Sequence, residues 1–402
     1  MTSASFPVRA PQATDVLFVT HNFPRSRDDF AGRFIWLLAR ELIQLGASVA
    51  VVAPHHPGAK EEETWDGINI IRFRYGRDDQ EVVAYRGDLD RWSGSSPVSV
   101  GATLRFLRAF KRATVQAVEC LHPRVVHAHW WVPGGWAARA PVRKHRIKFI
   151  LTSHGTDIRM LEGQRWLRFP ARRVFRSAHE ITTVSTWLKE QISRWFPEVA
   201  PRITVVPMPV DRGPFTPGTP PNNEIPIVLS VARFTEQKRL FDLMNAAHIL
   251  KSRGRPVRFR FIGAGPLEKE LHDRKYVKGI ADEIAIVPIM PADQLAQEYR
   301  RADVVVLCSV DEGFGMTLVE AQLCGRPVIG TRSGGITDII EDGRSGILVE
   351  PRNPGALADA IEYLLVDAAE RERLARVGLQ SAQERFNPTT VAATFVDLYQ
   401  LS

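Results

Sequence analysis

The stretch Asp311-Glu312-Gly313-Phe314-Gly315-Met316-Thr317-Leu318-Val319-Glu320 follows directly on the apolar run at residues 304–310. A strand, a glycine loop and the beginning of a helix together form an anion-binding cradle, because unpaired backbone N–H groups and the positive end of the helix dipole converge there. The place suits a diphosphate or a sugar. Glu312 in the loop and Glu320 one turn into the helix can reach different hydroxyls of one extended ligand. The alternative is two surface glutamates that flank a tight turn.

Short β-branched runs alternate with helix-period segments through most of the chain, which predicts βαβ units, parallel sheets and an α/β fold. In the first half we expect strands at 16–20, 48–53, 69–73, 125–128, 149–152, 180–184 and 203–206, and helices at 32–45, 101–119, 135–144, 166–177 and 186–196. In the second half we expect strands at 227–231, 258–262, 285–287, 304–307, 328–331 and 347–349, and helices at 239–252, 266–275, 293–300, 316–324, 355–367, 369–385 and 389–401.

The length of 402 residues predicts two domains, because single cores rarely grow beyond about 300 residues. Seven prolines between residues 207 and 226 exclude a central strand or a helix interior there, so we interpret this segment as the linker. The predicted organisation is a flexible leader at 1–14, a first domain at 15–206, the linker at 207–226, a second domain at 227–385 and a C-terminal helix at 386–402 that returns to the first domain.

The composition, with 44% hydrophobic and 24% charged residues, is that of an ordinary globular protein and excludes collagen-like and disordered chains. The apolar runs are far shorter than the roughly 20 residues of a membrane-spanning helix, and the N-terminal stretch lacks the apolar core of a secretory signal. Three widely spaced cysteines argue against a disulfide framework, so we expect a cytoplasmic protein. The net charge of +8 predicts attraction to an anionic partner without identifying it.

Two cations follow the first predicted strand of the second half, in Ser230-Val231-Ala232-Arg233-Phe234-Thr235-Glu236-Gln237-Lys238. Ligands of open α/β sheets collect at the carboxyl ends of parallel strands. Arg233 and Lys238 are therefore well placed to neutralise a diphosphate leaving group, and in that role they could replace a metal. The alternative is a solvated arginine and lysine at the end of a loop.

In the first half, the turn at residues 21–33 lacks the GxGxxG pattern, which argues against a nicotinamide or flavin cofactor. Two later strands are followed by histidine segments, His127-Ala128-His129-Trp130 and Ser153-His154-Gly155-Thr156-Asp157. Histidines at strand ends in polar or glycine-rich surroundings are either functional or structural. A zinc site made of His127, His129, His154 and Asp157 is a rival interpretation, but no HExxH or CxxC pattern supports it.

In this order the motifs resemble glycosyltransferase family 4, the glycosyl transferases group 1, whose retaining enzymes have the GT-B fold. That fold consists of two facing Rossmann-like domains with a cleft between them. The resemblance runs from about residue 16 to residue 399 and is densest over 227–351. Its most specific element is the family's E-x7-E signature at Glu312 and Glu320, which residues 321–330 and Ser333-Gly334-Gly335 continue.

The resemblance implies roles for individual residues. Arg233 and Lys238 would hold the donor diphosphate, and Glu320 would bind the donor ribose. Glu312, with the backbone of Gly313, Phe314, Gly315, Met316 and Thr317, would grip the donor sugar and phosphate. His129 matches the family's active-site histidine, so that the implied catalytic set is His129, Arg233, Lys238 and Glu312, and His154 with Asp157 would line the cleft near the acceptor.

Two departures from the family pattern bear on these roles. Ala31-Gly32 stands where the family often has Gly-Gly close to the diphosphate, so Ala31 places a methyl group at that approach. Pro288 stands where many members have glycine, in the loop expected near the nucleotide base. The sequence therefore does not indicate which base the donor carries.

The predicted function is metal-independent, retaining transfer of a hexose-type sugar from a nucleoside-diphosphate sugar to a hydroxyl acceptor, in glycan, glycolipid or polysaccharide biosynthesis of the cell envelope. The second domain would bind the donor and the first the acceptor, with no cofactor. One alternative is a nucleotide-sugar epimerase of the same architecture. Another is a non-catalytic protein that binds a nucleotide sugar or nucleic acid, although we find no nucleic-acid module and expect no nucleic-acid partner.

In the segment 103–112, the apolar residues Leu104, Leu107 and Phe110 interleave with four cations, Arg105, Arg108, Lys111 and Arg112. One interpretation is an ordinary amphipathic surface helix. The other is an interfacial helix on anionic lipid at the inner face of the membrane, which would suit a lipid-linked acceptor.

Overall fold

The computed structural model describes residues 14–27, 29–85 and 97–401, without the side chains of residues 97–99. The predicted leader lies outside these residues, except for Thr14. The chain divides into two compact units. The first unit comprises residues up to 183, residues 189–205 and residues from 392 onward, and the second comprises residues 184–188 and 206–391. Residues 207–226 contain neither helix nor strand.

The first unit is built on an eight-stranded sheet. Its elements, in chain order, are β1 (Val16–Val19), α1 (Arg33–Gln44), β2 (Val49–Pro54), β3 (Glu62–Trp65), β4 (Ile68–Phe73), α2 (Pro97–Leu121), β5 (Val125–His129), α3 (Trp136–His145), β6 (Lys148–Ser153), α4 (Thr156–Gly163), α5 (Arg168–Ser177), β7 (Glu180–Thr183), α6 (Thr186–Trp195) and β8 (Ile203–Val205). The strand order is β3-β4-β2-β1-β5-β6-β7-β8, and all pairs are parallel except β3 with β4. The predicted α/β class is therefore confirmed for this unit.

The second unit contains a six-stranded, all-parallel sheet. Its elements are β9 (Ile227–Val231), α7 (Leu240–Ser252), β10 (Arg258–Ile262), α8 (Glu268–Val277), β11 (Ile284–Val287), α9 (Ala292–Arg301), β12 (Val304–Leu307), α10 (Met316–Leu323), β13 (Val328–Thr331), α11 (Ile336–Ile339), β14 (Ile347–Val349), α12 (Pro354–Val366), α13 (Ala368–Arg385) and α14 (Pro388–Tyr399). The strand order is β11-β10-β9-β12-β13-β14. From residue 392 onward, α14 belongs to the first unit.

Both sheets are doubly wound, and this determines where ligands can collect. The chain runs outward in one direction from β9 to β11 and then returns to place β12 on the other side of β9. In the first unit, β1 is likewise flanked by β2 on one side and β5 on the other. At such a switch point the loops on the two sides diverge and leave a crevice at the carboxyl ends of the strands. The candidate sites are therefore the ends of β1 with β5 and of β9 with β12.

The central strands carry near-continuous apolar sequence because helices cover both faces of a parallel sheet. All four residues of β1, and all six of β2, are buried. In the second unit the core packs strand residues such as Val228 and Phe259 against Leu243 and Ile361 of the helices. Burying one such side chain contributes about 1.5–3 kcal/mol to folding.

The helix that carries the basic segment 103–112 uses its phenylalanines for the core. Phe106 and Phe110 are fully buried, and Phe110 stacks on Phe73 with the ring centroids 4.7 Å apart. Leu104, in contrast, is 48% exposed. The phenylalanines of α2 are thus covered by its own unit, whereas Leu104 is not. Among the described residues, no helix combines the length and apolar character that crossing a bilayer requires.

Candidate active site

Two loops meet at the switch point of the second sheet, and both contain predicted donor-binding residues. The loop after β9 carries Arg233 and Lys238, and the loop after β12 carries Glu312. The backbone N–H of Val310 donates to the carbonyl of Gln237 over 2.9 Å, and the Gln237 side chain donates to the carbonyl of Asp311 over 3.0 Å. These bonds join the two loops directly.

An ion pair strengthens the same junction. The ammonium of Lys238 hydrogen-bonds to the carboxylate of Glu312, and their side chains are only 17% and 13% exposed. In partly desolvated surroundings an ion pair is screened less than one on an open surface. The structure therefore brings two members of the predicted catalytic set together. Arg233, on the same loop as Lys238, is exposed.

The glycine loop is supported from behind by residues 333–335. The hydroxyl of Ser333 accepts a bond from the N–H of Asp311, and the N–H of Gly335 donates to the carbonyl of Glu312 over 2.7 Å. Gly334 has φ 60°, and a Cβ there would overlap the carbonyl oxygen of Glu312 and lie 2.5 Å from its nitrogen. Position 334 therefore requires glycine, both for its conformation and for the close approach of the two loops.

The remaining predicted donor residues lie in or beside the first turn of α10, which begins at Met316. Gly315, with φ 110°, caps this helix. Phe314 is buried and packs edge-on against Phe386, with centroids 5.5 Å apart, so its side chain belongs to the core. Its contribution to a ligand would come from the backbone, as would those of Gly313 and Thr317.

Glu320 has a partner that the sequence pattern does not indicate. The hydroxyl of Tyr299, on α9, donates to the Glu320 carboxylate over 2.8 Å. Burial and, to a smaller extent, the charge of Asp211 raise the pKa of Glu320 to about 7, although the hydrogen bond from Tyr299 acts in the opposite direction. Its carboxyl group is thus close to its protonation equilibrium at neutral pH.

In the first unit, the turn before α1 brings its backbone close to the end of β1. Gly32 has φ 67°, and a Cβ there would lie 2.7 Å from the carbonyl carbon of Asn22. Only glycine fits this position. Ala31, which is partly exposed, donates its N–H to Asp29, and the Asp29 carboxylate pairs with Arg25 at 2.6 Å.

His127 has a structural role. One ring nitrogen bonds to the hydroxyl of Tyr399 and the other to that of Thr152, each over 2.6 Å. Both nitrogens are therefore occupied, which leaves neither for zinc. His127 instead anchors the end of α14 to the first sheet.

His129 and His154 lie side by side at the carboxyl ends of β5 and β6. Nδ1 of His129 and Nε2 of His154 are 3.0 Å apart, and within the described chain Nε2 of His129 and Nδ1 of His154 are buried without a partner. Burial lowers the pKa of His129 to about 3 and that of His154 well below its ordinary value. Both rings are therefore neutral, and the pair offers one unused donor and one unused acceptor.

Asp157 supports this pair from below. The residue is fully buried, and its carboxylate accepts bonds from the N–H groups of Trp131, His154 and Gly155 over 3.2, 3.3 and 3.1 Å. Burial raises its pKa. It therefore holds the loops after β5 and β6 in position, and its predicted place in the cleft stays a prediction.

Trp130 is a further member of this cluster, which the histidine motifs alone did not identify. Its ring centroid lies 4.3 Å from that of His154 and 4.4 Å from that of His21. Its indole N–H donates to Thr156. Trp130 begins an irregular turn at residues 130–135, which Val132 interrupts with an extended backbone. The glycine pair that follows the tryptophans was the sequence signal for this turn.

Metal-binding geometry within the described part of the chain occurs at one group, His55, Asp78 and Glu81. Nδ1 of His55 already bonds to Glu81 at 2.5 Å, and Nε2 to the carbonyl of Ala59 at 3.0 Å. Both ring nitrogens already have a partner, so a metal ion would have to displace one of these bonds. None of the predicted catalytic residues belongs to the group.

Comparison with known proteins relates both units to one family. Residues 31–213 match the family described as Glycosyltransferase Family 4, and residues 215–380 match the family described as Glycosyl transferases group 1. A relative from Paenarthrobacter aurescens, named D-inositol 3-phosphate glycosyltransferase, is 30% identical over 313 residues, which cover 70% of this chain and 74% of the relative.

Solved structures share the architecture. Sucrose-phosphate synthase from Thermosynechococcus elongatus superposes with a TM-score of 0.80 at 21% identity, over 97% of this chain and 98% of the other. HepE from Anabaena, in complex with UDP-glucose, superposes with a TM-score of 0.72 at 16% identity, over 96% and 99%. The predicted GT-B fold is thereby confirmed.

Proposed function

The chain belongs to glycosyltransferase family 4 and is a glycosyltransferase, and on this premise we propose that it transfers a hexose-type sugar from UDP-sugar to a hydroxyl acceptor with retention of configuration. The first acceptor to test is D-inositol 3-phosphate, because relatives such as the Paenarthrobacter aurescens protein are named for it. The uridine base is proposed because the HepE structure of the same fold contains UDP-glucose.

The junction of Lys238 with Glu312 is the observation that carries this proposal. It holds a cation beside the glycine loop and the first turn of α10. During transfer the acceptor oxygen forms a bond to the anomeric carbon, and the bond between that carbon and the diphosphate oxygen breaks. The electron pair of the broken bond stays on the diphosphate, and the hydroxyl proton passes to the departing diphosphate or to water. Charge that develops there is stabilised by Lys238, by Arg233 on the same loop and by the N–H groups at the start of α10.

Lys238 and Arg233 also supply the positive charge that a divalent cation would otherwise bring to the diphosphate. The proposed reaction is therefore independent of metal. Activity that persists in excess EDTA supports this part of the proposal, and activity restored only by Mg²⁺ or Mn²⁺ refutes it.

The acceptor is assigned to the first unit through its histidine pair. His129 and His154 are neutral and together offer one donor and one acceptor, a combination that a hydroxyl group satisfies and a phosphate does not. We therefore assign these residues to sugar or acceptor hydroxyls. An acceptor phosphate would need a different group.

The test combines the purified protein, UDP-glucose or UDP-N-acetylglucosamine and D-inositol 3-phosphate. Mass spectrometry detects the glycosylated product, and proton NMR reads the anomeric configuration. An α-linked product from the α-configured donor supports retention, whereas a β-linked product refutes it. Loss of donor with a new epimer and no acceptor product would favour the nucleotide-sugar epimerase. Transfer only to a lipid-linked hydroxyl would refute D-inositol 3-phosphate as the acceptor, but it would leave the assignment as a glycosyltransferase unchanged.

A further inference from the structure

Five arginines surround a cavity of about 580 Å³ on the first unit, lined by Arg139, Arg143, Arg146, Arg173 and Arg176 together with His179. Helices α3 and α5 end here, at His145 and Ser177, and strands β6 and β7 begin nearby, at Lys148 and Glu180. The cavity therefore lies at the amino ends of the strands. The histidine pair His129 and His154 lies at the opposite edge of the sheet, at the carboxyl ends of β5 and β6.

Within the described residues, none of the five guanidinium groups of this arginine cavity forms an ion pair with a carboxylate. Arg176 is attracted to Glu198 without a hydrogen bond to it. Arg139 donates to the carbonyl of Arg173 over 3.2 Å, and the Arg173 guanidinium stacks on Phe169 at 3.7 Å. The neighbouring carboxylate of Glu198 is taken by Arg172, with bonds of 2.6 and 3.1 Å.

The dipoles of the two helices are too weak to neutralise five guanidinium groups. A helix C-terminus carries about half a negative charge, so α3 and α5 together supply about one against five guanidinium groups. Burial, with the charges of Arg143 and Arg173, lowers the pKa of Arg139. The arginines therefore repel one another, and a bound anion would relieve that repulsion.

We propose that the arginine cavity binds a phosphate-bearing anion, supplied either by a soluble polyphosphate or by the headgroups of an anionic bilayer. Guanidinium groups match phosphate oxygens in bidentate geometry. The volume exceeds that needed for a single phosphate and accommodates several phosphate groups. This site is separate from the proposed transfer reaction and does not depend on it.

An exposed aromatic side chain in contact with one of the cavity arginines distinguishes the two sources. Phe169, which contacts Arg173, is 67% exposed. Aromatic rings favour the interface of a bilayer, whereas a soluble polyphosphate gains little from them. The variant Phe169→Ser should therefore weaken binding to vesicles more than binding to polyphosphate.

The test compares two triple variants of equal net charge in the full-length protein. Arg143→Gln/Arg146→Gln/Arg176→Gln removes exposed cations from the cavity, and the matched control, Arg105→Gln/Arg108→Gln/Arg112→Gln, removes exposed cations from α2. Calorimetry with sodium tripolyphosphate measures the soluble ligand. Co-sedimentation with vesicles of equal parts phosphatidylglycerol and phosphatidylcholine, against pure phosphatidylcholine, measures the bilayer.

The cavity variant should bind its probe about 100-fold more weakly, since each cation near an anionic surface contributes about fivefold to the binding constant. The α2 control should stay within about threefold of the wild type. Selective loss of tripolyphosphate binding identifies the soluble source, and selective loss of vesicle binding identifies the bilayer. Wild-type protein that binds neither probe, or a cavity variant no weaker than the α2 control, overturns the proposal. Circular dichroism verifies folding, and single Arg143→Gln repeats the comparison if the triple variant unfolds.

Discussion

Lys238 and Glu312 are 74 residues apart in the chain, and their ion pair fastens the loop after β9 to the loop after β12. The pair spans the switch point of the second sheet, where the topology alone predicts a ligand crevice. It thus links the fold to the proposed chemistry.

Replacing Lys238 by methionine should lower kcat about 100- to 1,000-fold, because a group that stabilises developing charge is typically worth about 3–4 kcal/mol. Steady-state kinetics with UDP-glucose measure the change. Lys269→Met serves as the control, because Lys269 is 90% exposed and pairs within α8. Equal turnover in the two variants would exclude a catalytic role for Lys238.

Arg233→Ala should also reduce turnover by two to three orders of magnitude, since Arg233 is proposed to share the diphosphate charge. Arg274→Ala, which removes an arginine that is ion-paired on the surface of α8, is the matched control. Near-normal turnover in Arg233→Ala would refute the assigned role, whatever the result for Lys238.

Gly334→Ala should displace the Glu312 loop and abolish most of the activity. Gly343 has a similar φ of 67°, but a Cβ there would meet nothing within 4 Å. In both variants the left-handed backbone conformation of an alanine should lower the free energy of unfolding by about 1–2 kcal/mol, which urea unfolding measures. Only Gly334→Ala should in addition lose turnover, so comparable activity in both variants contradicts the proposed close packing.

His129→Gln should make the protein's stability less sensitive to acid. The pKa of folded His129 is about 3, below the usual 6.5, so the unfolded chain binds a proton that the folded chain does not. The stability that comes from keeping His129 neutral is fully present above about pH 6.5. Below that pH, the free energy of unfolding falls by about 1.4 kcal/mol per pH unit until the pH reaches the folded pKa.

Urea unfolding between pH 6.5 and pH 4 measures that slope. We expect His129→Gln to lower the slope of unfolding free energy against pH by about 1.4 kcal/mol per pH unit, the value for one proton. His272→Gln, at an exposed position, should leave the slope unchanged. An unchanged slope in His129→Gln would mean that His129 is not buried in its neutral form.

Much of the fold follows from local sequence. The strands at 227–231, 258–262, 304–307, 328–331 and 347–349 have the predicted bounds. Buried parallel strands need continuous apolar residues, which local sequence reveals. β3, with the sequence Glu-Glu-Thr-Trp, was not predicted, because it lies at an edge and is defined by its antiparallel pairing with β4. The α4 helix, which directly follows the histidine segment 153–157 in sequence, was not predicted either.

The site was predictable only where strand ends determine it. The positions of Lys238 and Glu312 follow from the two loops that flank a switch point. The different roles of the histidines could not be predicted in this way. His127 and His129 are two residues apart on one strand, but His127 bonds to Tyr399 and His129 to His154. Tyr399 and Tyr299 come from distant helices, so only the folded chain reveals their bonds.

The most direct test of the central claim, that the second unit binds a uridine diphosphate sugar through the E-x7-E loop, is thermal unfolding with UDP, GDP, ADP and dTDP at pH 8. At 100 times its dissociation constant a ligand stabilises by about 2.7 kcal/mol, which corresponds to a shift of a few degrees. We predict a shift with UDP that Glu320→Ala abolishes and the exposed control Glu372→Ala retains. The shift should shrink below about pH 7, as the Glu320 carboxylate is protonated. No shift with UDP, or an equal shift in Glu320→Ala, would contradict the claim.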